Sequence, residues 1–195
     1  MIPRSDVVGM RLGRFLDSNG SRDLLEFLRR RAPESRQEFI SQLYLDIRQI
    51  LNTIQKQAHH LLKREEWLRD QVRNNLGSRG YNVASEEDHR GHTDLLVRNS
   101  DIDVTWIGEA KVHSDYDYLK SGMEQLHTRY SVGVEGECGL VIFLFSKNAK
   151  LMVERWKEAI TTSGICGYVP PFVDDKQPFD FTSKHNHHSG AVLET

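Results

Sequence analysis

Asp103-Val104-Thr105-Trp106-Ile107-Gly108-Glu109-Ala110-Lys111-Val112 carries two patterns at once. With the two-residue period of a strand, Val104, Trp106, Gly108, Ala110 and Val112 share one face, which is apolar and able to pack on a helix. Residues 105, 107, 109 and 111 share the other, so Glu109 and Lys111 emerge side by side near the strand's end. Upstream, residues 81–84 and 93–98 read as two shorter strands, with turn signals at Gly91 and at Asn99-Ser100-Asp101. Downstream, a helix over 116–130 leads to the apolar run 140–145, a second helix over 149–161 and a strand near 165–169. A helix starting at Lys63, with Trp67, Leu68, Val72 and Leu76, precedes the first strand and ends at Gly77 or Gly80. The order αβββαβ, followed by a further αβ, predicts an α/β domain over residues 63–169 with a mixed central sheet flanked by helices.

Residues 1–62 read as an N-terminal helical segment. Ser21 can cap a helix through Arg31, and after Pro33 a second helix runs from Glu34 to about His60. Phe39, Leu43, Ile47, Ile50, Ile54, Ala58 and Leu61 draw a continuous stripe along it, either packed on its own domain or forming a seam for a second copy or a partner protein. Residues 170–195 are rich in Pro, Asp, Ser and His and predict a tail with little regular structure beyond residues 179–182. Its His185, His187 and His188 lack acidic or thiol partners at ligand spacing and read as a solvated cluster.

Composition narrows the class. The chain has 195 residues, 38% hydrophobic and 28% charged, with a formal net charge of −2, which excludes a bulk cationic coat and an acidic disordered tail. The total hides an asymmetry: residues 1–80 carry 15 Lys and Arg against 10 acids, and residues 81–195 carry 11 against 18. A polyanion would therefore be held by a local patch, with Arg29, Arg30, Arg31, Lys63, Arg64 and Arg73 the basic residues available. Cys138 and Cys166 are too few for a disulfide framework and, with no apolar signal core at the N-terminus, suggest a cytoplasmic protein. The apolar run 140–145 is far too short to cross a bilayer.

Asp94 opens the strand that pairs with 103–112, so its carboxylate can converge on Glu109. Two carboxylates and a backbone carbonyl, that of Ala110, are hard oxygen ligands suited to Mg²⁺, with Mn²⁺ expected to substitute. Such an ion polarises a phosphodiester oxygen, and a neighbouring Lys111 can orient or deprotonate the attacking water. The acid-x-Lys triplet by itself is cheap: it recurs as Asp174-Asp175-Lys176, in a stretch without strand pattern. Only Glu109-Ala110-Lys111 has the hairpin and the upstream Asp.

Through Gly91-His92-Thr93-Asp94, Trp106-Ile107-Gly108-Glu109-Ala110-Lys111 and the following helix with Gln125 and Tyr130, the chain resembles the PD-(D/E)xK nuclease superfamily. The resemblance implies a restriction-endonuclease-like αβββαβ core, Mg²⁺ on Asp94 and Glu109, and Lys111 serving the water. It also implies a metal-reaching Glu on the first core helix, Glu66 here with Glu65 as competitor, and a role for Gln125 near the metal or the nucleic-acid backbone. Thr93 replaces the motif's Pro, and the interval from Gln125 to Tyr130 is one residue longer than in the RecB-like pattern. The implied activity is a DNA nuclease of a defence or DNA-processing system, regulated by oligomerisation or a partner through the N-terminal helices. A non-cleaving nucleic-acid-binding subunit and an RNA nuclease are the alternatives. Glu86, Glu87, His92 and His113 flank the site and read as solvated or hydrogen-bonded surface, while Cys138, Cys166, Trp106 and Trp156 read as core.

Overall fold

A computed structural model describes residues 20–57, 64–84, 93–130, 136–145, 148–174 and 179–195. The predicted order is present. Helices α1 (Gly20–Arg31), α2 (Arg36–Gln57) and α3 (Glu65–Ser78) are followed by strands β1 (Asn82–Ala84), β2 (Leu95–Asn99) and β3 (Val104–Val112). Helix α4 (Tyr116–Glu124) runs on as a π-helical turn over Gln125–Tyr130, and β4 (Cys138–Phe143) and α5 (Ala149–Ser163) complete the α/β unit. The sheet order is β1-β2-β3-β4, antiparallel across the first two pairs and parallel between β3 and β4. A parallel pair needs a crossover, and α4 supplies it.

The period-two reading of β3 accounts for its two faces. Val104, Trp106 and Ala110 enter the core formed with Phe39, Leu43, Ile47 and Ile50 of α2 and Leu68, Val72 and Leu76 of α3. Ile107, on the opposite face, packs with Leu96, Leu126 and Cys138. The Trp106 ring lies where Cβ atoms of Gly108 and Gly139 would stand, at 2.5 and 2.4 Å, so both positions exclude a side chain. Trp156 is buried with Leu119, Met123 and Ile160 between α4 and α5.

The stripe of α2 is thus buried inside the chain and forms no free seam; Ala58 and Leu61 of that stripe lie outside the described residues. What the N-terminal helices do expose is Leu25, Phe27 and Leu28 on α1 and Leu45 on α2. The Ser21 side chain likewise lies outside the described residues.

Residues 170–195 depart from the expected tail. After a 3-10 turn over Ile165–Gly167, strands β5 (Tyr168–Asp174), β6 (Phe181–Asn186) and β7 (Val192–Glu194) form a second, antiparallel sheet. The strand expected near 165–169 therefore starts later and joins this sheet. Glu194 bridges Glu137 in parallel just before β4, which seats the second sheet beside the first. His185 and His187 are buried, with Ser183, on the inward face of β6 and just beyond it. Aliphatic alternation is absent because Ser and His fill the inward positions, and His185 satisfies its ring nitrogens on Ile165 O and Ser183 Oγ. No described helix is long and apolar enough to cross a membrane.

Candidate active site

Strand register builds the site. Leu95 pairs with Gly108 in the antiparallel β2–β3 ladder, so one step further Asp94 stands across from Glu109. Directly opposed residues share a face. Asp94 Oδ2 accepts from Ala110 N at 2.9 Å, which locks the carboxylate onto β3, and Oδ1 accepts from Arg69 Nη1 at 3.1 Å.

Glu109 is 3% exposed, and its Oε1 lies 2.6 Å from Lys111 Nζ. Its Oε2 is buried without a hydrogen-bond partner. Burial, then the nearby Asp94 charge, pushes the Glu109 carboxyl up to about 7 against the pull of Lys111. Burial is the largest single effect and works against the Lys111 ammonium, but the hydrogen bond to Glu109 together with the charges of Glu109, Tyr118 and Glu65 outweighs it and raises the pKa above the usual lysine value. Lys111 is therefore a charged donor. Gly122 of α4 makes its slot: a Cβ there would sit 3.0 Å from Lys111 Cγ and Cε.

Glu65, not Glu66, reaches this site. Glu65 Oε2 accepts from Val112 N at 2.7 Å, Oε1 accepts from the Tyr118 hydroxyl at 2.7 Å, and Lys111 Nζ is 3.9 Å away. Glu66 is exposed. The buried residues Leu68, Val72 and Leu76 fix the phase of α3, and Glu65 lies on their side one turn before Leu68. Arg69, one turn after Glu65, pairs with Asp94, and its Nε lies 3.5 Å from Asp70. Tyr118 also lies under Lys111, whose Nζ is 5.1 Å from the ring centroid. Sequence reasoning missed Tyr118, Arg69 and Gly122, because each acts through a contact made far along the chain.

Gln125 opens the π turn, and its Oε1 is buried without a partner; among the described residues no hydrogen bond joins it to Asp94, Glu109 or Lys111. His113 follows β3 with its ring edge-on to Tyr116 and Nε2 buried unpaired. Glu86, Glu87, Gly91, His92, Lys63, Asp175, Lys176 and the Tyr130 side chain lie outside the described residues.

A pH dependence follows. Below about pH 4.5 the Glu109 carboxyl is protonated in both folded and unfolded chains. Between 4.5 and about 7 only the unfolded chain has released the proton, so stability falls as pH rises, and above about 7 the loss is complete. The loss is on the order of 3 kcal/mol. Urea unfolding of the metal-free chain at pH 5 and pH 7.5 is expected to show this decline in the native sequence and to lose most of it in Glu109→Gln. Equal slopes in both would assign the decline elsewhere.

Among the described residues no group of three or more His, Cys, Asp or Glu side chains forms a ready metal cage. The donor set nonetheless fits a divalent cation: Glu109 Oε2 is an unpaired buried carboxylate oxygen, and mutual repulsion with Asp94 is the field a cation relieves. Searches of protein-family models, curated proteins and solved structures return no match to the chain.

Proposed function

We propose that the chain is a metal-dependent nuclease of the PD-(D/E)xK type, built on a restriction-endonuclease-like core and hydrolysing phosphodiester bonds, with DNA as the favoured substrate. One observation carries this reading: Asp94 stands opposite Glu109, and the Glu109 carboxylate is in contact with Lys111, all at one end of the β2–β3 ladder. The αβββαβ order with its antiparallel–antiparallel–parallel pairing supports the fold assignment. So does the π turn: it holds one residue more than an α turn, which is the length by which the Gln125 to Tyr130 interval exceeds the related pattern.

In this reading Asp94, Glu109 and the Ala110 carbonyl hold Mg²⁺, or Mn²⁺ in its place. The ion supplies Lewis-acid polarisation of the scissile phosphodiester. The chain does the rest. Ala110 N–H fixes the Asp94 carboxylate, and Val112 N–H with the Tyr118 hydroxyl fixes Glu65 beside Lys111. The raised pKa of Lys111 makes it a cationic donor to the attacking oxygen and to charge developing on phosphate, rather than the base that deprotonates water.

The test is a panel of linear and circular DNA, single-stranded DNA and RNA, incubated with Mg²⁺ or Mn²⁺. Cleavage of at least one DNA substrate by the native chain, absent with chelator and in Glu109→Ala, is expected. Binding without cleavage under every condition would favour a non-cleaving subunit; cleavage of RNA alone would move the substrate class.

A further inference from the structure

Resting on the nuclease reading, the contacts of Asp94 assign a role to Arg69. The two oxygens of Asp94 are held by partners of different kinds. Oδ2 is held by Ala110 N–H, which belongs to β3 and cannot leave. Oδ1 is held by Arg69 Nη1 at 3.1 Å, at the tip of a long side chain that is 21% exposed. Oδ1 is therefore the oxygen open to exchange. A guanidinium already stands on it.

We propose that Arg69 is a resident counter-ion of the site: it holds Asp94 Oδ1 until a divalent cation takes that oxygen, and then turns to the phosphodiester of the nucleic acid. Charge supports the exchange. In ionised form Asp94, Glu109, Glu65 and Asp70, the last 3.5 Å from Arg69 Nε, face Arg69, Lys111 and the Arg73 that pairs with Asp70, which leaves the site one charge negative. A divalent cation makes it one charge positive, matched by a single phosphodiester. Arg69 suits the second position because a guanidinium presents a planar fork to two phosphate oxygens. Lys111, held at 2.6 Å from Glu109 in the slot beside Gly122, presents a single ammonium and no such fork.

The experiment titrates Mn²⁺ calorimetrically into the full chain without nucleic acid, comparing the native sequence, Arg69→Gln and Asp94→Asn, with circular dichroism as the folding control. Arg69→Gln is expected to bind Mn²⁺ about tenfold more tightly, since its competitor is gone, and Asp94→Asn to lose binding. With Ca²⁺ in place of Mg²⁺, Arg69→Gln is also expected to bind a DNA duplex about tenfold more weakly. Unchanged or weaker Mn²⁺ binding by Arg69→Gln overturns the proposal while leaving the nuclease reading intact. Failure of the native chain to bind Mn²⁺ at all would instead sink that reading. A variant that does not fold is bypassed in the native chain: the Arg69 Nε–H resonance is expected to shift as Mg²⁺ saturates, and a resonance that stays put overturns the exchange.

Discussion

Replacing Lys111 with methionine is expected to lower the single-turnover cleavage rate at saturating Mg²⁺ by about 10³-fold or more. Two losses combine. On the nuclease reading, the ammonium proposed to stabilise the attacking oxygen and the phosphate charge disappears, and Glu109 loses the cation that opposes its burial and the Asp94 charge. Its carboxyl, already near 7 with Lys111 present, climbs further and is protonated at neutral pH, when it can no longer act as an anionic ligand. Weaker metal binding should therefore accompany the slower chemistry, but excess metal should restore only the first. Lys111→Arg is not expected to rescue the rate, because the slot admits no added atom at Gly122 without moving the lysine stem and a guanidinium is broader than an ammonium. A Lys111→Met chain cutting within about tenfold of the native one would remove Lys111 from the chemistry.

The site is read from sequence only as far as it is local. Strand alternation separates Trp106 and Ala110, which enter the core, from Glu109 and Lys111, and this needs no knowledge of the rest of the chain. The helical phase of α3 is local too: Leu68, Val72 and Leu76 point to Glu65, whereas the resemblance alone points to Glu66. Tyr118 and Arg69 are different. Their partners, Glu65 and Asp94, lie 53 and 25 residues away, and nothing in local periodicity selects them. The second sheet escaped for another reason. Strand signals weigh aliphatic alternation, and β6 alternates exposed Lys184 and Asn186 with buried Ser183 and His185, a pattern of polar against polar. Such a face is tolerated because its buried groups find partners within the chain.

Asp46→Ala is expected to remove about 3–5 kcal/mol of folding stability, a large share of the total for a domain of this size. Asp46 sits at position 46 of the α2 stripe, between Leu43 and Ile50, where a charge is out of place, and it is 0% exposed. Its carboxylate gathers Arg30 Nε at 2.7 Å and Nη2 at 2.9 Å, Arg79 Nη1 at 2.5 Å, the Tyr81 hydroxyl at 2.7 Å and Gln42 Nε2 at 3.3 Å. Besides Gln42 of the same helix, these partners come from α1, from the turn after α3 and from the approach to β1, so one side chain ties the N-terminal helices to the sheet. Burial alone would raise its pKa, but the hydrogen bonds from Arg30, Tyr81 and Gln42 hold it below the usual aspartate value. Truncation removes the acceptor these donors share, leaving Arg30 only Glu26 and Arg79 only Gln49 among the described residues, and adding Arg30→Met to Asp46→Ala should then cost little more, because both changes act on one network. The two buried carboxylates thus act in opposite directions with pH. Asp46 contributes stability that is present above about 3.8 and lost as pH falls through its lower folded value, whereas Glu109 begins to cost stability above about 4.5. For these two groups the metal-free chain is most stable between those limits. In Asp46→Ala the acid side of that optimum should flatten while the decline toward pH 7 remains; a variant losing less than about 1 kcal/mol would show that the N-terminal helices are held by their apolar stripe alone.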